Sequence, residues 1–214
     1  MHALDGRLSE RAAAAGFAID EALRRKLLEY YDLLLRWNAK INLTALTDLD
    51  EGIDRLLLEP VAAAASLSAT QGLADLGSGG GSPAIPLALA LQTPKLLMVE
   101  SKGKKAAFLR EAARTVGLEA AVEAVRFEEL AELGAYAGAF DLVSVRAVRM
   151  DREALAAAQS FLSDGGRIAL FVSAGATPEL PPGLILDMRV PLVGRAELMR
   201  LRSDVPRETS SNKA

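Results

Sequence analysis

Apolar side chains recur at helical spacing between residues 20 and 39. Leu23, Leu27, Tyr30, Tyr31, Leu34 and Trp37 share one face, and Asp20 stands where an N-cap would accept from the first turn. The spacing predicts an amphipathic helix. A polar turn from Asn38 to Thr44 follows, then a second helical pattern over about 50–68, where Pro60 either kinks the helix or marks a new start. From residue 72 the pattern changes to short apolar runs alternating with helical stretches. Strands are predicted at Leu73–Leu76, Lys95–Glu100, Ala121–Val125, Phe140–Val145 and Gly166–Val172, and helices at Ala84–Leu91, Lys102–Val116, Phe127–Leu133 and Asp151–Leu162. Pro83 suits the first turn of the helix after the first strand, and Gly117 stands at an expected C-cap. Two late strands, Leu184–Leu192 and Arg195–Arg202, have no long helix between them and read as an antiparallel pair closing the sheet.

This alternation implies an α/β fold, a mostly parallel sheet with helices on both faces. The expected organisation is a helical extension over residues 1–70, an α/β domain over 71–203 and a polar, mobile tail over 204–214. Sheets of this kind bind ligands beyond the carboxyl ends of their strands, where the strand order reverses. At the first strand–loop–helix the chain reads Asp75-Leu76-Gly77-Ser78-Gly79-Gly80-Gly81. Four glycines at a strand-to-helix junction let a ligand approach main-chain N–H groups.

Composition narrows the chemistry. Half of the 214 residues are hydrophobic and a quarter are charged, enough for one packed domain. The absence of cysteine excludes disulfides, thiolate metal sites and cysteine nucleophiles. His2 is the only histidine, at a terminus expected to fray, which speaks against a Ser-His-Asp triad or a histidine metal centre; no metal is expected. Charges interrupt every apolar run short of bilayer length, and Asp5, Arg7, Glu10 and Arg11 leave no leader-like stretch, so a cytoplasmic protein with no membrane partner is expected. A net charge of −3 argues against bulk coating of nucleic acid. Local basic surface is present nonetheless: Lys40 with the arginines of the first predicted helix, Lys102, Lys104 and Lys105 beside Glu100, and Arg146 and Arg149 after the fourth strand. The lysine run is either a solvated helix face or a patch for phosphates.

The loop spacing is G-x-G-x-G, with Ser82 where a dinucleotide fingerprint wants its third glycine. Asp75, two residues before the first glycine, is poorly placed for a pyrophosphate and suits a positively charged amino-acid head group. Glu100 closes the second strand, where a carboxylate accepts from both hydroxyls of a ribose; NAD and S-adenosylmethionine fit this equally. Arg126, Phe127, Glu128 and Glu129 follow the third strand at the same rim. They offer backbone and carboxylates to an adenine, or simply open a helix with an acidic first turn. Arg146 leaves a buried strand beside the pocket and is expected to make a functional contact.

The motifs together resemble one family. Trp37-Asn38-Ala39-Lys40-Ile41-Asn42-Leu43-Thr44, the loop Asp75–Pro86, Glu100–Leu109, Arg126–Glu129 and Phe140–Ala147 are similar, in order and spacing, to signatures of the bacterial small-subunit ribosomal RNA guanine-N7 methyltransferases, the glucose-inhibited division protein B family. The similarity runs from about residue 20 to 203. It implies a class I methyltransferase fold, Rossmann-like with a mostly parallel seven-stranded sheet. It implies S-adenosyl-L-methionine as methyl donor, and N7 of a guanine in 16S ribosomal RNA, free or in the small subunit, as acceptor, with the protein acting as a monomer. The site residues expected from it are Asp75, Gly77, Ser78, Gly79, Gly81, Pro83, Glu100, Ser101, Arg126, Phe127, Glu128 and Arg146 around the cofactor, Arg146 and Asn42 in catalysis, and Lys40, Lys102, Lys104, Lys105 and Arg149 on RNA. Tyr30, Tyr31 and Trp37 either stack on bases or pack the core. Guanine N7 bears a lone pair and no proton, so a chain without internal histidine or cysteine can serve this reaction by positioning alone. The chain departs from the family pattern at Leu56, where histidine is usual, at Val172-Ser173, where Lys-Gly is usual, and at Ala84, where glycine is preferred. If the lost cations grip RNA, substrate affinity or identity differs in this member. A methyltransferase of another RNA or a small molecule, and a non-catalytic ribosome- or RNA-binding protein on the same fold, are the competing readings.

Overall fold

The structure is a computed structural model that describes residues 2–146 and 151–204. Four N-terminal helices come first: α1 (His2–Ala14), α2 (Glu21–Ile41), α3 (Leu49–Ile53) and α4 (Glu59–Ala64), with a π-helical turn over Asp54–Leu58 joining the last two. Strands and helices then alternate as β1 (Leu73–Leu76), α5 (Ala84–Leu91), β2 (Leu96–Val99), α6 (Gly103–Val116), β3 (Ala120–Glu123), α7 (Phe127–Leu133), β4 (Phe140–Arg146), α8 (Arg152–Ser160), β5 (Leu162–Ser173), β6 (Leu184–Pro191) and β7 (Ala196–Ser203).

The strands form a seven-stranded sheet in the order β3-β2-β1-β4-β5-β7-β6, with β7 antiparallel to β5 and β6 and the other pairs parallel. The order reverses between β1 and β4, so a crevice opens at their carboxyl ends, where the glycine loop begins. Along β1 the side chains alternate. Leu73 enters a core shared with α1–α6, whereas Ala74 and Leu76 enter a second core beneath α7 and α8. The N-terminal helices therefore share a hydrophobic core with one face of the sheet, Leu8, Leu27 and Leu34 joining Ile85, Leu109 and Leu198.

The N-terminal extension begins with α1, in which Leu8 and Ala12 are buried. Two expectations are corrected. The single helix over 50–68 is a helix, a π turn and a second helix ending at Ala64. The helix predicted from Asp151 begins at Arg152, with Asp151 accepting at its N-cap from Ala154 N, and stops at Ser160 because β5 starts at Leu162. The mobile tail predicted over 204–214 falls, beyond Asp204, outside the described residues. No helix among those residues is long and apolar enough to cross a membrane.

Candidate active site

The loop after β1 is built by positive backbone torsions. Gly77, Gly79 and Gly81 have φ of 75°, 53° and 85°, a region side chains disfavour. At Gly81 space is also short, since a Cβ would lie 2.9 Å from Ile85 Cδ1 and 3.2 Å from Leu109 Cδ2. The loop is tied at both ends. Gly77 N and Ser78 N both donate to Val99 O at 2.9 Å, and Ser78 Oγ donates to Asp75 O at 3.0 Å. Glu100, 7% exposed, accepts from Gly79 N at 2.9 Å and from Lys102 N at 2.7 Å. Its carboxylate is thereby locked at the tip of β2 against the glycine loop.

Residues of α2 hold the loop from the other side. Tyr30, fully buried, donates from Oη to Gly80 O at 2.6 Å. Asn38 Oδ1 accepts from Leu43 N at 2.7 Å and Thr44 N at 2.9 Å, fixing the turn that ends α2, and Leu43 O lies 3.2 Å from where a Cβ of Gly80 would sit. The Trp37–Thr44 motif is thus the strap that seats this turn on the glycine loop. Trp37 packs edge-on against Phe108 with centroids 5.7 Å apart. Tyr30, Tyr31 and Trp37 therefore belong to the core or to packing against it. Tyr30 and Asn38 went unselected as site residues because their partners are brought to them only by folding. Asn42, expected in catalysis, is an exposed C-cap of α2 in the left-handed region (φ 52°).

Beneath the loop lies a buried charge cluster. Asp75 is 1% exposed; Oδ1 accepts from Ser144 Oγ at 2.5 Å, directly across the β1–β4 pairing, while Oδ2 is buried with no hydrogen-bond partner. Burial pushes this carboxyl up to about 6, against the pull of Ser144 and Arg146. Arg146, at the end of β4, forms an ion pair with Glu59 (Nη2–Oε2 3.0 Å), donates from Nη1 to Arg55 O and to Ser82 Oγ (3.4 Å), and lies over the Phe171 ring at 4.5 Å. Burial lowers its pKa to about 10, so it stays charged at neutral pH. Glu59, itself 4% exposed, has its carboxyl raised by burial, with Arg146 opposing.

The π turn explains how Arg146 finds its acceptor. There Glu59 N reaches back five residues to Asp54 O. The next carbonyl, Arg55 O, would be filled from residue 60, and proline has no N–H to give. Arg146 fills that vacancy. Neither the turn nor Glu59 showed in the sequence pattern; Pro60 was the available signal.

Beside this cluster is a cavity of about 660 Å³, lined by Arg146, Glu59 and Phe171 together with Glu51, Asp54, Arg55, Val172, Ser173 and Arg195 among others. Val172, where a lysine is usual, is on this wall; Leu56 packs against the core instead, and Ala84 is buried in α5. The other expected residues lie around the rim. Ser101 is exposed and Pro83 is the buried N-cap of α5. Arg126 and Glu128 pair at 3.2 Å at the start of α7, whereas the Phe127 ring is buried in the second core, leaving only its backbone at the rim. Lys40, Lys102 and Lys104 are exposed and Lys105 is half-buried. Arg149 lies outside the described residues. Among those residues, no group of three or more His, Cys, Asp or Glu side chains is arranged to hold a metal.

The sheet order, the left-handed glycine loop and the acid at the tip of β2 define a class I methyltransferase, a class that takes S-adenosylmethionine. The fold comparison agrees: the mitomycin 7-O-methyltransferase MmcR superposes with a TM-score of 0.60 at 15% identity, over 86% of this chain and 66% of that one. Residues 23–180 match the model of the family described as rRNA small subunit methyltransferase G (GidB), and the chain belongs to that family. Relatives bearing the name ribosomal RNA small subunit methyltransferase G include one from Syntrophotalea carbinolica, 33% identical over 77% of this chain and 76% of the relative. Another, from Stenotrophomonas maltophilia, is 47% identical over 57% of this chain and 58% of the relative.

Proposed function

We propose that this chain methylates N7 of a guanine in 16S ribosomal RNA, acting in the cytoplasm as a monomer. The observation that carries the reading is Arg146, which joins the cofactor loop, through Ser82, to the cavity beside it. The residues present fit S-adenosylmethionine. Glu100 is held by two backbone N–H groups with lone pairs left for a ribose, and the unpartnered buried Oδ2 of Asp75 supplies negative field under a cationic ligand. When bound, that cofactor supplies an electrophilic methyl group, which guanine N7 can accept on its lone pair.

The chain's own residues bind and orient. Gly77, Ser78, Gly79 and Gly81 shape the bed, with Pro83 behind it; Glu100 and Ser101 take the ribose, and Arg126, Glu128 and the Phe127 backbone border the adenine. The cavity wall balances Arg55, Arg146 and Arg195 against Glu51, Asp54 and Glu59. Such a mixed wall suits a base with both donors and acceptors; phosphates are better met by the exposed Lys40, Lys102 and Lys104 and by Lys105. Asn42 serves as the left-handed end of the strap. The decisive experiment is mass mapping of 16S ribosomal RNA from a strain lacking the gene. Loss of one N7-methylguanine, restored by the wild-type gene and not by Arg146→Ala, is expected; a normally modified guanine would sink the assignment.

A further inference from the structure

We infer that Arg195 is a phosphate site, its guanidinium gripping the RNA backbone beside the acceptor nucleotide at the mouth of the cavity; this rests on RNA being the acceptor. Among the described residues the cavity wall carries three arginines and three acids, equal in number but not in partners. Glu51 lies 3.6 Å from Arg55, and Glu59 lies 3.0 Å from Arg146. Asp54 is engaged by Arg11, whose Nε donates to it at 2.6 Å. Arg195 is left over. It is exposed, and its guanidinium has no hydrogen-bond or ion-pair partner among the described residues. The acid two residues further on, Glu197, is taken by Arg189 at 2.5 Å and by Gly175 N at 3.3 Å.

The backbone fixes where this charge stands. Ser173 pairs with Ala196 across β5 and β7, and Ala174 N donates to Arg195 O at 2.8 Å. Arg195 therefore sits at the carboxyl end of β5, where Phe171 and Ser173 also line the cavity. Before it, Gly194 turns the chain with φ of 71°, and a Cβ there would meet nothing within 4 Å, so the approach is open. Val172, on the same wall, brings no charge. The lysines of α6 are too distant to hold this phosphate as well. They follow β2, and β7 lies four strand positions further along the sheet, about 19 Å away. An RNA strand meeting both would cross the glycine loop and the cavity, with the acceptor base held between two backbone contacts. Phosphate contacts of this kind set register and orientation. A guanidinium suits the task, since its parallel N–H groups meet two phosphate oxygens at once.

The test uses small ribosomal subunits from a strain lacking the gene, with kcat and KM measured across a range of salt for the wild type, Arg195→Ala and Arg195→Lys. Arg195→Ala should raise KM for subunits about tenfold and make kcat/KM less steeply salt-dependent, the log–log slope shrinking by about one for one lost phosphate contact. Its kcat and its affinity for S-adenosylhomocysteine should hold. Arg195→Lys keeps the charge and should keep the wild-type slope. An unchanged KM and slope in Arg195→Ala, or a loss carried by kcat alone, overturns the phosphate site and leaves the proposed activity standing. So does a slope in Arg195→Lys as shallow as in Arg195→Ala, because charge is then not what the position supplies. Subunits left unmethylated by the wild type overturn the RNA acceptor itself, and this inference with it.

Discussion

Folding strips the Asp75 carboxylate of water and returns one hydrogen bond, from Ser144. Its pKa rises from an ordinary 3.8 to about 6, with burial the main cause. The sign follows: the folded state holds this proton more tightly than the unfolded chain. The group's favourable contribution is complete below 3.8, is lost as pH climbs to about 6, and stays lost above it, a swing on the order of 3 kcal/mol at most. Asp75→Asn keeps an acceptor for Ser144 and removes the buried charge. It should melt several degrees higher than the wild type at pH 8 and show no advantage at pH 4. Because a cationic ligand favours the carboxylate, calorimetric affinity for S-adenosylmethionine should rise between pH 5 and 7 in the wild type and lose that dependence in Asp75→Asn. Glu100→Ala removes the proposed ribose partner and also frees Gly79 N and Lys102 N. Cofactor affinity should fall by about 1.5–3 kcal/mol. An unchanged affinity would show that Glu100 is not the ribose ligand. Both acids were legible in the sequence, since loop spacing and strand ends place them. Glu59 was not, because its partner lies in another element and a lone glutamate before a proline reads as helix surface.

Among the elements, the π turn decides most. π turns are rare and collect at functional sites, since they re-aim a backbone group. Here Pro60 leaves Arg55 O open, and Arg146 takes it. Pro60→Ala restores an N–H that competes for this carbonyl. The variant should be as stable as the wild type or more so in thermal melts, while turnover on small subunits falls on the order of tenfold and cofactor affinity holds. Equal loss of both would show that the Arg55–Arg146 contact supports the cofactor bed instead. The periodic pattern located β1, α5 and α7 with their observed boundaries, because each is a continuous apolar run or face ended by glycine, proline or charge. It could not show the π turn. One inserted residue barely perturbs a 3.6-residue period, and which carbonyl goes unpaired depends on what β4 brings to it.

For the whole molecule, α1 shows how the N-terminal helices support the site. Leu8 is fully buried, and Arg7 and Arg11 pair with Asp50 and Asp54 beside the π turn. Burial should outweigh charge here. Leu8→Ala is expected to cost about 2–4 kcal/mol in urea unfolding. Arg7→Ala, at a solvent-screened ion pair, should shift the urea midpoint far less than Leu8→Ala does, and not measurably at high salt. A larger effect from Arg7 would mean that the ionic network fastens this helix.

Alternating apolar runs, a glycine loop after the first strand and an acid ending the second were enough to determine the α/β class, the seven strands and the strand-to-helix junction at which we propose the cofactor binds. These features are local: strand period, backbone torsion and strand-end position are properties of neighbouring residues. Helix α1 was missed because Leu8 and Ala12 are too sparse an apolar stripe to signal by themselves; only the facing surface of α2 and α3 gives them something to bury against. The strap on the glycine loop, the unpartnered buried oxygen of Asp75 and the Glu59–Arg146 pair in the cavity wall were decided by tertiary structure alone. Each depends on desolvation and on contacts between elements far apart in the chain, and neither quantity exists until the sheet and its helices have closed around them.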